Sequence, residues 1–216
     1  MSKKYQAVFF DFDGVILDSV HVKTRTFAAM FRHHGSFIEE AVVQYHLDNG
    51  GVSRFEKFRY FYEHLLNQPI SDIELIALGE EFSRLALKDV LNSAYIPGAL
   101  DTLKRLNEQV IPCFIASGTP DQEIKQIVKK KNLAPYFLEV HGSPKKKEDI
   151  VLDVTNRHCL APEQCLFIGD AMTDFDAAKQ TGTDFLGISR VANPSPFPEG
   201  TWLKDRVELF KNPLKS

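Results

Sequence analysis

Cysteine is scarce in this chain: three in 216 residues, Cys113, Cys159 and Cys165. An odd number cannot close into a full set of disulfides, and two of the three lie in or beside apolar runs. They read as free thiols of a reducing cytosol. None sits in a metal-ligand pair, and the seven histidines form no metal-ligand pattern. Long apolar runs are missing too, with none near the roughly 18 residues that a membrane helix needs. The opening MSKKYQ lacks the apolar stretch of a secretory signal. Nor is there an excess of charge of one sign: Lys and Arg number 26, Asp and Glu 29, for a net charge of −3. That balance argues against a sequence-independent nucleic-acid binder. The expectation is a soluble cytoplasmic protein, with neither nucleic acid nor membrane as partner.

Apolar residues are plentiful at 44%, enough for one large domain or for a core with a smaller insertion. Ala7-Val8-Phe9-Phe10 reads as a short strand buried on both faces. Asp11 and Asp13 come directly after it. In extended backbone, positions two apart point to the same side, so the two carboxylates share a small space at the strand's end. Like charges held so close repel unless a proton or cation intervenes, and a hard divalent cation such as Mg2+ suits oxygen ligands. Gly14 allows the sharp turn beside them. The bland reading of Asp13-Gly14 is a surface β-turn, and the residues at the ends of the later strands weigh against it.

Between about Ser19 and Asn92 the apolar residues recur at helical spacing, as in Phe55, Phe58, Phe61, Tyr62, Leu65 and Leu66. Breaks at His34–Ser36, Asp48–Gly51 and Asn67–Asp72 give three or four helices. After Pro97-Gly98 the pattern alternates. Helices are expected over Ala99–Gln109, Asp121–Lys131, Lys147–His158 and Asp174–Thr181, and strands over Val110–Ala116, Phe137–Val140, Cys165–Ile168 and Asp184–Ile188. Such grammar implies an α/β, doubly wound parallel sheet. Ala192–Gly200 reads as Pro-rich loop and Trp202–Phe210 as a closing helix. In open parallel sheets, sites form at the strands' carboxyl ends. Three strands here lead into polar residues: Asp11 and Asp13, then Ser117-Gly118-Thr119, then Gly169-Asp170 with Asp174. Three such coincidences outweigh the turn reading.

DFDGVILDS, the apolar run ending in Ser117-Gly118-Thr119, a lysine near 145–147 and GDAMTD at Gly169–Asp174 together resemble, in order, the four motifs of the haloacid dehalogenase superfamily. The helical insertion is similar to the α-helical cap of its phosphoglycolate phosphatase and β-phosphoglucomutase branch. The resemblance implies a Rossmann-like core over residues 1–18 and 95–216 with a cap domain over 19–94. It implies Mg2+-dependent hydrolysis of a small phosphorylated metabolite through an aspartyl-phosphate, with Asp11 as nucleophile, Asp13 as general acid/base and Ser117 on a phosphate oxygen. Gly118 and Thr119 would line the phosphate, and Thr119 is expected to cap the next helix, with Pro120 at its first position. Asp11, the Asp13 carbonyl, Asp170 and Asp174 would hold the ion.

A carboxylate suits the nucleophile's part because it is already ionised at neutral pH. The lysine falls within Lys145, Lys146 and Lys147. Lys147 is favoured because it opens the next helix, with Ile150 and Val151 three and four residues on. Asp13 also separates the chain from true dehalogenases, whose leaving group needs no proton. The mutase-like relatives often carry a histidine where Lys23 stands, which weakens the alternative, a phosphomutase. A receiver-like phospho-Asp module is the rival of another class, opposed by the helical insertion and by Asp13. Gly51-Val52-Ser53-Arg54 resembles a stretch by which sugar-phosphate relatives contact substrate, making Arg54 and Lys57 candidate substrate ligands. Ser53 with Glu56 three residues later also forms a helix-capping pair, and both readings can hold.

Overall fold

The computed structural model describes residues 5–190 and 195–210. The start of the MSKKYQ segment and residues 192–194 of the Pro-rich loop lie outside them. Six parallel strands, in the order β3-β2-β1-β4-β5-β6, form one sheet. They are β1 (Ala7–Phe10), β2 (Cys113–Pro120), β3 (Glu139–Ser143), β4 (Cys165–Gly169), β5 (Asp184–Ile188) and β6 (Leu203–Lys204). β1 lies between β2 and β4 and is fully buried, as its unbroken apolar run requires. One face carries Phe9 stacked between Phe114 and Phe167. The other packs Val8, Phe10, Ile115 and Ile168 into the larger core cluster.

The core helices are α5 (Ala99–Glu108), α6 (Asp121–Lys130), α7 (Lys147–Arg157) and α8 (Met172–Thr181). Between β1 and α5 stand α1 (Val20–Phe31), α2 (Ser36–Asp48), α3 (Arg54–Tyr60) and α4 (Asp72–Asn92), the four helices of the cap. A 3-10 turn over Arg32–His34 follows the first of them, and Gly35, with φ of 96°, a value glycine tolerates best, joins that turn to α2. Ser53 caps α3 by accepting from the Glu56 amide, and a π-helical turn over Phe61–Leu65 continues that helix. An aromatic cluster of Phe27, Phe31, Phe58, Phe61 and Phe82 holds the cap together. No described helix is long and apolar enough to cross a membrane.

Several local expectations need correction. Val110 and Ile111 are not strand. Val110 has φ of 56° and is 87% exposed, and the Val110 and Ile111 amides close the end of α5 on Asn107 and Leu106. The apolar run concealed that turn, and β2 begins after Pro112. β3 runs over Glu139–Ser143, later than expected: the Phe137 amide still closes the 3-10 turn at Ala134–Tyr136, and Leu138 makes the first contact with β2 by donating to the Cys113 carbonyl. Trp202–Phe210 forms no helix. Its backbone pairs outward, Gly187 donating to Trp202 and Ser189 to Lys204, while Val207 is buried with its amide on the Pro97 carbonyl. Thr119 does not cap α6. Pro120 holds that position in extended backbone, and the Thr119 hydroxyl is used elsewhere.

Candidate active site

The carboxyl ends of β1, β2 and β4 converge as the sheet order dictates. β1 delivers Asp11, which is buried, with its amide on the Ile168 carbonyl of β4. Oxygens of Asp11, Asp170 and Asp174 lie within 4.8 Å of one another. Lys147, the first residue of α7, reaches into this cluster. Its Nζ is 3.2 Å from Asp11 Oδ2 and 2.5 Å from Asp174 Oδ1. Of the three lysines in the run, only this one is buried; Lys145 pairs with Asp153 on the surface and Lys146 is exposed. Asp174 also accepts from the Ala171 amide, which holds it at the start of α8.

Burial pushes the Asp11 carboxyl up to about 7; the Lys147 ammonium opposes this, and the Asp174 and Asp13 charges add to it. Burial and then the charges of Asp11 and Asp174 push Asp170 well above the usual carboxylate range. Burial acts against the Lys147 ammonium, but Asp11 and Asp174 together keep it above its ordinary value. One ammonium among three close acids leaves the cluster acidic, and a set of oxygen donors fits a hard divalent cation. Gly14, with φ of 84°, keeps open the space beside Asp170: a Cβ there would stand 1.9 Å from Asp170 Oδ2.

The Asp13 carboxylate lies outside this cluster. It accepts hydrogen bonds from Ser19 Oγ at 2.6 Å, Thr119 Oγ1 at 3.0 Å and the Lys23 ammonium. Burial favours its neutral form, but the Lys23 charge and those three hydrogen bonds hold it below the usual carboxylate range. Lys23 Nζ also donates to Thr119 Oγ1 at 2.7 Å, tying a cap helix to the end of β2. Ser117 is buried, its Oγ accepting from the Thr119 amide at 3.1 Å. Gly118 lies so close to the cap that a Cβ would meet the Gly51 carbonyl at 2.2 Å.

A cavity of about 160 Å3 connects the two layers, lined by Asp11, Asp13, Asp170, Gly118 and Thr119 from the core and by Lys23, His46, Arg54 and Lys57 from the cap. Arg54 and Lys57 thus share it with Asp11, but in different circumstances. Arg54 Nη2 is 2.7 Å from Glu123 Oε1 of the core helix α6, and its Nη1 is 2.7 Å from Ser83 Oγ. Lys57 Nζ is 2.8 Å from His46 Nδ1. His46 of α2 is itself buried. Sequence reasoning noted Lys23 only for the histidine it replaces, and missed Glu123 and the His46–Lys57 pair. Glu123 stands a few residues after Ser117-Gly118-Thr119, but nothing in its own neighbourhood marks it. Its partners lie 40 and 69 positions away.

A model of the haloacid dehalogenase-like hydrolases matches residues 5–182 of the chain. Phosphoglycolate phosphatase 1 of Pseudomonas aeruginosa is 29% identical over 192 residues, 81% of this chain and 66% of the relative, so the chain spans just under two thirds of that protein. Among solved structures, a predicted phosphoglycolate phosphatase from Haemophilus somnus 129pt superposes with a TM-score of 0.75 at 18% identity, covering 94% of this chain and 95% of that one. β-Phosphoglucomutase from Clostridium difficile gives a TM-score of 0.69 at 19% identity, over 86% and 85%.

Proposed function

The chain belongs to the haloacid dehalogenase-like hydrolase family, and we propose that it is a Mg2+-dependent phosphatase acting on a small phosphate monoester through an aspartyl-phosphate. The observation that carries this reading is the contact between Asp11 and Lys147 inside the buried acid cluster. A carboxylate at the end of the central strand meets a fixed ammonium where an anionic group must approach it. The roles of Asp11, Asp13, Ser117, Lys147, Asp170 and Asp174 all belong to this proposal, as do residues 19–94 as cap domain, a cytoplasmic setting and a phosphorylated metabolite as partner.

An Asp11 oxygen attacks phosphorus while the bond to the leaving oxygen breaks, so phosphate passes to the carboxylate. Lys147 offsets the charge that gathers on the phosphoryl oxygens. Ser117, with the Gly118 and Thr119 backbone, borders them at the end of β2. Asp11, Asp170 and Asp174, with the Asp13 main-chain carbonyl, would hold Mg2+. Such an ion, when bound, neutralises charge between these acids and the phosphate. Asp13 gives a proton to the leaving oxygen and takes one from the water that cleaves the aspartyl-phosphate. With Lys23, Ser19 and Thr119 around it, Asp13 rests as a carboxylate. To act as the acid it first takes up a proton from solvent as the Lys23 contact loosens on substrate entry, and the proton it later takes from water restores the acid form for the next turnover. Closure of the cap over the cavity excludes bulk water from the exchange.

The phosphoglycolate phosphatase of Pseudomonas aeruginosa is the relative that favours hydrolysis of a short-chain ester. A phosphomutase reading draws on likeness of fold alone. Asp11→Asn tests the assignment: phosphate release from a panel of phosphorylated metabolites with Mg2+ falls by at least about a thousandfold while the far-ultraviolet circular dichroism stays unchanged. Retained turnover in that variant removes Asp11 as nucleophile.

A further inference from the structure

Ser117 and Lys147, which border the phosphoryl oxygens in the phosphatase reading, do not line the cavity that Asp13 faces. They line a second one, of about 240 Å3. Gly51, Val52 and Gly118 border both cavities, and the close contact of Gly118 with the Gly51 carbonyl forms the wall between them. Asp13, the acid for the leaving oxygen, belongs to the first cavity and not to the second. A phosphoryl group on Asp11 therefore has its ester side on one cavity and its Ser117 and Lys147 side on the other.

The inner part of the second cavity offers hydrogen-bond donors. Ser143, the last residue of β3, is 5% exposed, and its Oγ has no hydrogen-bond partner among the described residues. A buried hydroxyl without a partner is uncommon and marks a place where an ion or a water belongs. Three residues on, Lys146 takes the N-cap position of α7 and brings no side-chain hydrogen bond to its first turn. The leading amides of that helix, from Lys147 to Asp149, have no acceptor within the helix, and such a helix start suits an anion. The rim carries charges of both signs, Lys145, Lys146, Glu56 and Asp176, and all four are exposed, so water and salt screen them. Glu148 differs. Half-buried in the first turn of α7 and bordering the cavity, it opposes an anion there and keeps it loosely held.

We infer that Ser143 and the start of α7 form a second oxyanion site, which takes inorganic phosphate as it leaves the catalytic centre. This deepens the phosphatase reading and rests on it. When water cleaves the aspartyl-phosphate, the bond from phosphorus to Asp11 breaks, a bond to the water oxygen forms, and Asp13 takes the proton. The alcohol has by then departed through the first cavity. The phosphate passes from Ser117 and Lys147 to Ser143 and out through the second. The loose hold set by Glu148 suits a site that a product must quit.

The test titrates inorganic phosphate into the full chain with Mg2+ and beryllium trifluoride, which occupies Asp11 as an acyl phosphate would. Calorimetry then reads a phosphate bound to the blocked protein. Ser143→Ala weakens that binding about 10- to 100-fold, as loss of a hydrogen bond to a charged group predicts. Glu148→Gln tightens it about threefold by removing a like charge, so the site is read by a gain as well as by a loss. During turnover of a phosphate ester, phosphate held here impedes release, so added phosphate lowers kcat as well as kcat/KM. In Ser143→Ala it lowers kcat/KM alone. No binding to the blocked protein, or binding that neither variant changes, overturns the inference. So does purely competitive inhibition of the wild type, and both leave the phosphatase reading standing. Phosphate release from none of a panel of phosphorylated metabolites refutes the phosphatase reading, and the inference falls with it.

Discussion

A cation kept where folding disfavours it gives an unusual expectation: Lys57→Met makes the free protein more stable. Burial brings the Lys57 ammonium down from 10.5 to about 7, with Lys23 of α1 and Lys147 of α7 acting in the same direction and Asp13 and Glu56 against it. Neighbouring His46 of α2 is itself held neutral. Between about 10.5 and about 7 the unfolded chain binds a proton that the folded chain lacks, so stability rises with pH across that window. The cost is absent above it and complete below it. At about 1.4 kcal/mol per pH unit, the full cost is on the order of 5 kcal/mol. Methionine keeps the apolar stem but leaves His46 Nδ1 without its donor, which costs about 1–3 kcal/mol. The net gain at neutral pH is then about 2–4 kcal/mol, or some 2–4 °C in Tm for each kcal/mol. Urea unfolding of both proteins between about pH 6 and pH 9 reads the difference, and the wild type should approach the variant as pH rises. A variant less stable than wild type at neutral pH, with the same pH slope, refutes the reasoning.

The geometry of the site sets two further outcomes. Gly14→Ala puts a Cβ into Asp170 and forces a side chain on a residue at φ of 84°. It should cost about 1–3 kcal/mol and weaken Mg2+ binding, read by calorimetry; unchanged affinity would separate Asp170 from the ion. Glu123→Gln removes the charge that Arg54 and Ser83 clasp. It should raise KM and speed proteolysis at the cap junctions near residues 17–20 and 95–98, and a digestion pattern like the wild type's would show that this clasp does not hold the cap.

The core was legible because its strands are apolar runs buried on both faces, and because order along the chain plus parallel pairing forces their polar ends together. Lys147 could be chosen from its run of three because Ile150 and Val151 fix which way α7 faces the sheet, and both are fully buried. What failed was of two kinds. Val110 is apolar but sits exposed in a left-handed turn, so hydropathy lengthened β2 backwards; Trp202–Phe210 has helix-like spacing but commits its backbone hydrogen bonds to β5 and Pro97. In the cap, helices were readable from period alone, whereas pairing was not. Glu123 belongs to one layer and Arg54 and Ser83 to the other, and no local rule links positions so far apart.

The two layers carry opposite problems, and this is the strongest physical argument that they work as one site. The core gathers Asp11, Asp170 and Asp174 around a single ammonium, and burial drives the carboxyls of Asp11 and Asp170 towards protonation. The cap holds a buried ammonium against a neutral imidazole, with no carboxylate within ion-pair distance among the described residues, and burial drives it towards deprotonation. Neither arrangement serves stability alone, since replacing either by apolar residues would relieve the desolvation. A ligand that brought a cation to the acids and an anion to the ammonium of the cap would relieve both. Ionisable groups perturbed in opposite directions and facing one cavity mark that cavity as a candidate binding site.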